Sequence, residues 1–250
     1  MCCFSRHVLS VSQTNIFARP SKKERQYIVY SLNLSAKEDL AMILPIPTPP
    51  KSDEDAVKFI SLKEYENFFA DLEKGFPIPE IPPPKREPNL IAPAAGVKPL
   101  KVVEVGSFEA SFVPSIEDFS RLDERFRLPA GVWDKLPAYK KSGFAVFKLK
   151  SGEKKIHPMA FEFPRANAEK IFLPTVHIHD GEVHERAGFD HVLYLQPATT
   201  DTLLPEGWEE STQPAELFMD LKKSGDLFNP EMHVYRMRIH GEQKNEDTLV

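Results

Sequence analysis

Alternation of apolar and polar positions organises the first quarter of the chain. Gln26-Tyr27-Ile28-Val29-Tyr30-Ser31-Leu32-Asn33-Leu34 alternates with a period of two, and Val8 to Phe17 does so more weakly across the polar stretch Pro20 to Arg25. This predicts an antiparallel strand pair. Leu40-Ala41-Met42-Ile43-Leu44 is a continuous apolar run followed by Pro45, Pro47, Pro49 and Pro50, which lack the N–H that a sheet ladder needs. The chain is expected to leave the sheet there. Ser61 and Glu64 have the spacing of a capping box, Leu62, Tyr65, Phe69 and Leu72 fall on one stripe, and Gly75 stands where a helix would end, so a helix is predicted over this stretch.

Further along, Val102 to Val105 and Phe108 to Val113 read as strands, and Ser115 with Asp118 opens a short helix carrying Ile116, Phe119 and Leu122. Trp133, Leu136 and Tyr139 predict one or two helical turns. Gly143 to Leu149 turns through Ser151-Gly152 into Ile156 to Phe163, a hairpin signal. Strands over Phe172 to His179, Val192 to Leu195 and His233 to His240 and a helix from Pro214 to Lys223 complete the pattern. Strand runs broken by single helices, without a βαβ rhythm, predict an α+β fold of mainly antiparallel sheet with two or three packing helices.

Proline changes the picture in the middle. Pro77, Pro79, Pro82, Pro83, Pro84, Pro88, Pro93 and Pro99 impose extended, polyproline-like backbone, which predicts a strap or linker. A single domain over 1–250 is expected, with 76–99 as the place where it would divide into 1–75 and 100–242. A partner-binding proline motif is the alternative for that segment.

Composition bounds the class. With 41% hydrophobic residues, 18 Phe and 28% charged residues the chain is globular rather than disordered. A net charge of −5 supplies no basic field for nucleic acid or an anionic membrane, and no apolar window suits a membrane span. The two cysteines, Cys2 and Cys3, are adjacent, so they build no disulfide framework. A reducing, cytoplasmic setting and an unprocessed chain are expected.

The order Cys2-Cys3-Phe4, Ile16-Phe17-Ala18, Leu44-Pro45-Ile46-Pro47, a helix, Val105-Gly106-Ser107-Phe108-Glu109 and then Gly143 to Leu149 resembles a bacterial family of domains of unknown function. The resemblance covers about the first two thirds of the chain as an arrangement of patterns. It implies a bacterial source and no particular chemistry.

Candidate chemistry concentrates in Thr175-Val176-His177-Ile178-His179-Asp180-Gly181-Glu182-Val183-His184. Asp-Gly between alternating residues predicts a two-residue hairpin turn, which would put His177 opposite His184 and His179 opposite Glu182. His177, His179 and His184 would then share one face as ligands for a divalent transition metal such as zinc. Glu182 or Asp190 would serve as base for a metal-activated water, and Asp190-His191 as a second-sphere carboxylate or an extra ligand. A half-buried hairpin with a solvated polar face fits the same alternation. Removal of Met1 would expose Cys2 as an N-terminal nucleophile, the logic of an amidohydrolase, with Arg19 available to orient a carboxylate. The remaining histidines, His157, His233 and His240, are isolated. Thr248-Leu249-Val250 suits strand-addition recognition, although a disordered tail from Gln243 is the simpler expectation.

Three functions follow as expectations: a metal-binding, hydrolytic domain acting through the histidine hairpin; a non-catalytic protein-interaction or scaffold module using the proline-rich segment; and a Cys2 amidohydrolase.

Overall fold

The structure is a computed structural model that describes residues 2–77, 103–105, 108–129, 131–155, 157–179, 182–199, 202 and 204–250. Its strands are β1 (Cys2–Phe4), β2 (Ser10–Ser21), β3 (Arg25–Ala36), β4 (Leu40–Ile46), β5 (Lys58–Ser61), β6 (Val103–Val105), β7 (Phe108–Val113) and β8 (Gly143–Leu149). They continue with β9 (Gly152–Lys155), β10 (Met159–Pro164), β11 (Phe172–Leu173), β12 (His177–Ile178), β13 (Arg186–Leu195), β14 (Glu209–Glu210), β15 (Tyr235–Lys244) and β16 (Thr248–Leu249). Among the described residues α-helix is confined to α1 (Phe68–Lys74) and α2 (Leu221–Ser224), with short 3-10 turns elsewhere.

Two sheets face each other. The first has the order β12-β1-β4-β8-β7-β6; the second has the order β14-β15-β13-β2-β3-β10-β5, with β9 also paired to β3. The predicted pair is present as β2 and β3, in register from Ser21↔Arg25 to Ser10↔Ser35 with a bulge between Ser12 and Asn15. Alternation decides which residues meet between the sheets. Ile28, Tyr30, Leu32 and Leu34 of β3 pack there against Leu40, Met42, Leu44 and Ile46 of β4, together with Phe147, Phe161 and Phe163. Burial of each such side chain contributes about 1.5–3 kcal/mol, so this layer dominates the favourable side of folding.

The outer faces are covered as well. On the first sheet Ala41, Ile43, Phe144 and Val146 pack under 3-10 turns carrying Phe119, Leu122, Phe126 and Leu136. On the second, Phe17, Val29, Ala160 and Tyr194 pack under Phe68, Phe69 and Leu72 of α1 and under Met219, Leu227 and Phe228. Burial on both faces explains why the 40–44 run is unbroken rather than alternating. β4 runs on through Pro45, which pairs with Phe144 of β8 beyond the stretch that β1 covers.

These observations correct the expected α+β class with several packing helices: the fold is mostly sheet. The stripe of Leu62, Tyr65, Phe69 and Leu72 is buried as predicted, but its first half is two turns, Tyr65 N–H to Leu62 O and Phe68 N–H to Tyr65 O, before α1 begins. Spacing of three or four serves consecutive turns as well as a helix. Gly75 ends α1 in right-handed conformation; a methyl group there would lie 2.8 Å from the Phe218 ring, so close approach rather than a left-handed cap requires glycine. The 143–163 hairpin is also replaced: β8 lies in the first sheet, whereas β9 and β10 run along β3 in the second. The segment from Gln243 is ordered into strand pairing rather than frayed. Most of the proline-rich segment, residues 78–100, lies outside the described residues.

Candidate imidazole cluster and the anchored stems

The short strand β12 joins the first sheet through a parallel pairing with β1, Cys2↔His177 and Cys3↔Ile178, while β1 pairs on its other side with β4. Cys3 is fully buried in the outer apolar layer with Ile43, Val146 and Ile178. Cys2 is placed as backbone in the middle of a sheet; its side chain is outside the described part.

His177 and His179 stand together, as the two-residue spacing requires. Their rings are perpendicular, with Nδ1 of His177 3.2 Å from Nε2 of His179. The third ring of the cluster is His191, on β13 of the facing sheet, 4.5 Å from His177 between ring centres, and Phe189 stacks 4.4 Å from His177. His179 leans on Phe4. His184 is exposed, and its carbonyl accepts from Asn245 Nδ2 at 3.0 Å. Glu182 is exposed, and residues 180 and 181, where the tight turn was expected, lie outside the described residues.

The expected metal site is therefore corrected. Among the described residues no group of three or more His, Cys, Asp or Glu side chains is placed to hold a metal ion, and His177, His179 and His184 do not converge as a zinc site. The physical reason is topological. β12 takes its partner from β1, some 175 residues away in sequence, and not from residues 182–184.

Two rings of the cluster, His177 and His191, are buried. His191 is fully buried, and among the described residues neither ring nitrogen has a hydrogen-bond partner; the Asp190 carboxylate stands 3.7 Å from Nδ1. Burial lowers the His191 pKa from its ordinary value, with the neighbouring His179 adding to that effect and Asp190 opposing it. Burial pushes the Asp190 carboxyl up, but the nearby His191 ring and the hydrogen bond from the Gln13 N–H bring it below the usual value overall. Gln13 sits at the β2 bulge with φ 53°, fixed by its N–H to Asp190 Oδ2 at 2.6 Å and by Asn33 Nδ2 donating to its side-chain oxygen at 2.8 Å. Of the isolated histidines, His157 is half-buried and His233 Nδ1 lies 2.7 Å from Ser211 O.

A second constellation holds the start of the proline-rich segment. Glu73, in the last turn of α1, accepts from Tyr194 Oη at 2.6 Å, from Arg236 at 2.6 Å and from Arg238 at 2.5 Å, and Arg236 also donates to Glu209 at 2.6 Å. The Arg236 guanidinium stacks 4.4 Å over Phe76, which is buried. Gly75 O accepts from Thr212 N–H at 2.9 Å. The chain returns as β6, paired Val103↔Ala110 to Val105↔Phe108 at the edge of the other sheet. The segment thus leaves from the covering layer of one sheet and re-enters on the edge of the other, with a fixed stem at each end. No local pattern points to Glu73, Tyr194 and Arg236, because Glu73 lies more than 120 residues before the other two and shares no motif with them.

No protein-family model matches the chain, and no curated protein does. Among solved structures the fold defines a class of β-rich proteins with two facing sheets. It is similar to baculovirus P35, with a TM-score of 0.50 at 14% identity, covering 98% of both chains. A mutated baculovirus P35 after caspase cleavage is similar to the same degree, TM-score 0.50 and 14% identity, covering 95% of this chain and 99% of that one. At this identity the likeness establishes the fold. These neighbours are viral proteins, and nothing in them points to the bacterial source that the earlier resemblance implied. No helix among the described residues is long and apolar enough to cross a membrane.

Proposed function

We propose that the chain is a non-catalytic protein-interaction module that presents residues 78–102 to a protein partner, and that the partner is a cysteine peptidase of the caspase class. The observation that carries this reading is the pair of anchored stems: Phe76 clamped under Arg236 on one side and β6 hydrogen-bonded into a sheet on the other. Holding both ends lowers the entropy lost when a partner grips the intervening segment. Proline-rich sequence favours the extended backbone that peptidases and groove-binding domains recognise. Likeness of fold to P35, of which a mutated form is known after caspase cleavage, supports the choice of partner class.

The test mixes the purified full chain with active caspases and follows complex formation by size-exclusion chromatography and cleavage by mass spectrometry. The expected result is a co-eluting complex and a cut within 78–102, both lost when that segment is replaced by a Gly/Ser sequence of equal length. A complex that survives the replacement overturns the role of the segment. No complex and no cut across the set overturns the partner class.

A further inference from the structure

Residues 245–250 lie along residues 171–177 as a ligand lies in a site. β16 pairs antiparallel with β11, Leu249↔Phe172 and Thr248↔Leu173, and Val250 and Ile171 exchange both backbone hydrogen bonds, at 2.6 and 2.9 Å. Asp247 is the anchor. One carboxylate oxygen accepts from the Thr175 and Val176 N–H groups at 2.9 and 3.1 Å, and the other from Tyr139 Oη at 2.6 Å. The Thr175 hydroxyl donates to Glu246 O at 2.8 Å and lies 3.1 Å from the Thr248 hydroxyl. Asn245 accepts from His177 N–H at 2.8 Å and donates to His177 O at 2.9 Å.

The two partners in this contact are unequal. The accepting side is built without help from the segment it holds: the buried Gln26 side chain donates to Phe172 O at 2.6 Å and accepts its N–H at 3.1 Å, and Ile171, Phe172 and Leu173 are rooted in the core between the sheets. On the other side Leu249 is 53% exposed. A preformed edge, two converging amides and a tyrosine hydroxyl meet a partly buried strand, held by Val250 against the core and by one charged anchor, an aspartate. Charge-assisted bonds of that kind read a carboxylate selectively.

We propose that residues 171–177 with Tyr139 form a strand-acceptor site for an extended acidic segment of the pattern Asn-x-Asp-Thr-aliphatic in a protein partner, and that residues 245–250 occupy it in cis as a displaceable mimic. The site is separate from segment 78–102 and stands or falls independently of the peptidase reading. Tethering gives the resident segment an effective concentration in the millimolar range, so an outside segment competes only when tighter, more abundant or multiply attached.

The probe is the synthetic heptapeptide Lys-Asn-Glu-Asp-Thr-Leu-Val with the full-length chain. In the wild type the peptide at about 10 mM, above the effective concentration of the resident segment, is expected to speed amide exchange at Thr248 to Val250 while Thr175 and Val176 stay protected; unchanged exchange at Thr248 to Val250 overturns the proposal. Full-length Asp247→Ala, with its resident segment loosened, is expected to bind the labelled peptide at least about tenfold more tightly than the wild type does. The same peptide with Ala in place of Asp is expected to lose that gain. A folded variant that binds no better than the wild type, or that takes both peptides equally, overturns it. Should Asp247→Ala not fold, Asp247→Asn, which loses the charge assisting these bonds, is expected to bind the peptide more tightly than the wild type does by a smaller factor, and no gain overturns the proposal.

Discussion

His191 is a fully buried imidazole whose charged form the fold disfavours, and this sets a pH dependence. Because its folded-state pKa lies below the ordinary value of about 6.5, the unfolded chain binds more protons once the pH falls below that value. Stability is therefore complete above about pH 6.5 and is lost as pH drops toward the folded pKa, at up to about 1.4 kcal/mol per pH unit for one proton. Urea unfolding of the wild type at pH 7.5 and pH 5 is expected to show the loss. His191→Phe, which keeps a ring against Phe189 and His177, is expected to diminish it, while half-buried His157, also held low by burial, keeps its own share. An undiminished pH dependence in the variant would exclude His191 as its source. Gly143 makes a second residue-level case. A methyl group there would meet the Phe112 ring at 2.5 Å and Thr48 Oγ1 at 2.7 Å, and that same hydroxyl accepts the Gly143 N–H at 3.1 Å. Gly143→Ala is expected to cost about 1–3 kcal/mol in thermal or denaturant unfolding.

At the scale of elements, α1 is seven residues long, too short to be stable alone, and draws its stability from Phe68, Phe69 and Leu72 and from Glu73. Glu73→Ala leaves the buried Tyr194 hydroxyl without its acceptor and Arg236 with one carboxylate in place of two. Since Glu73 is itself partly exposed, screening discounts the ionic share, and a loss of about 1–2 kcal/mol is expected, with Glu73→Gln recovering part through the Tyr194 bond. Calorimetry of the two variants distinguishes the contributions. Strands were the legible part of this sequence. The period-two pattern of 26–34 and the apolar runs at 40–44, 143–149 and 192–195 announce β3, β4, β8 and β13, because burial of one or both sheet faces writes itself into neighbouring positions. Helix length was not legible, since Ser61 to Leu72 and Pro214 to Lys223 carry helical spacing while tertiary packing leaves α-helix only in their last parts, from Phe68 and from Leu221. The site was half legible: adjacency of His177 and His179 follows from spacing, but the choice of β1 as neighbour of β12, and of His191 as third ring, depends on pairings that no local pattern encodes.

The whole molecule is stitched across its proline-rich middle. β3 and β4, before it, pair with β8, β9 and β10, after it, and β2 pairs in parallel with β13, Ile16↔Leu193. A specific peptidase site inserted within 78–100 and cut to completion is expected to give two polypeptides that co-elute as one particle and unfold in a single transition. Separation of the fragments in native buffer would show that the sheets do not hold the halves together. The same long-range pairing predicts slow folding, in the millisecond-to-second range or beyond, by stopped-flow fluorescence.

Asn245 completes the rim of the first sheet by a different economy. One carboxamide meets both the N–H and the C=O of His177, standing in for the backbone of an additional strand. Growth of the ladder in that direction therefore stops at a single side chain. Asn245→Ala would uncover a hydrogen-bonding margin that another molecule can template, and light scattering at rising concentration is expected to reveal self-association well before any change in melting temperature.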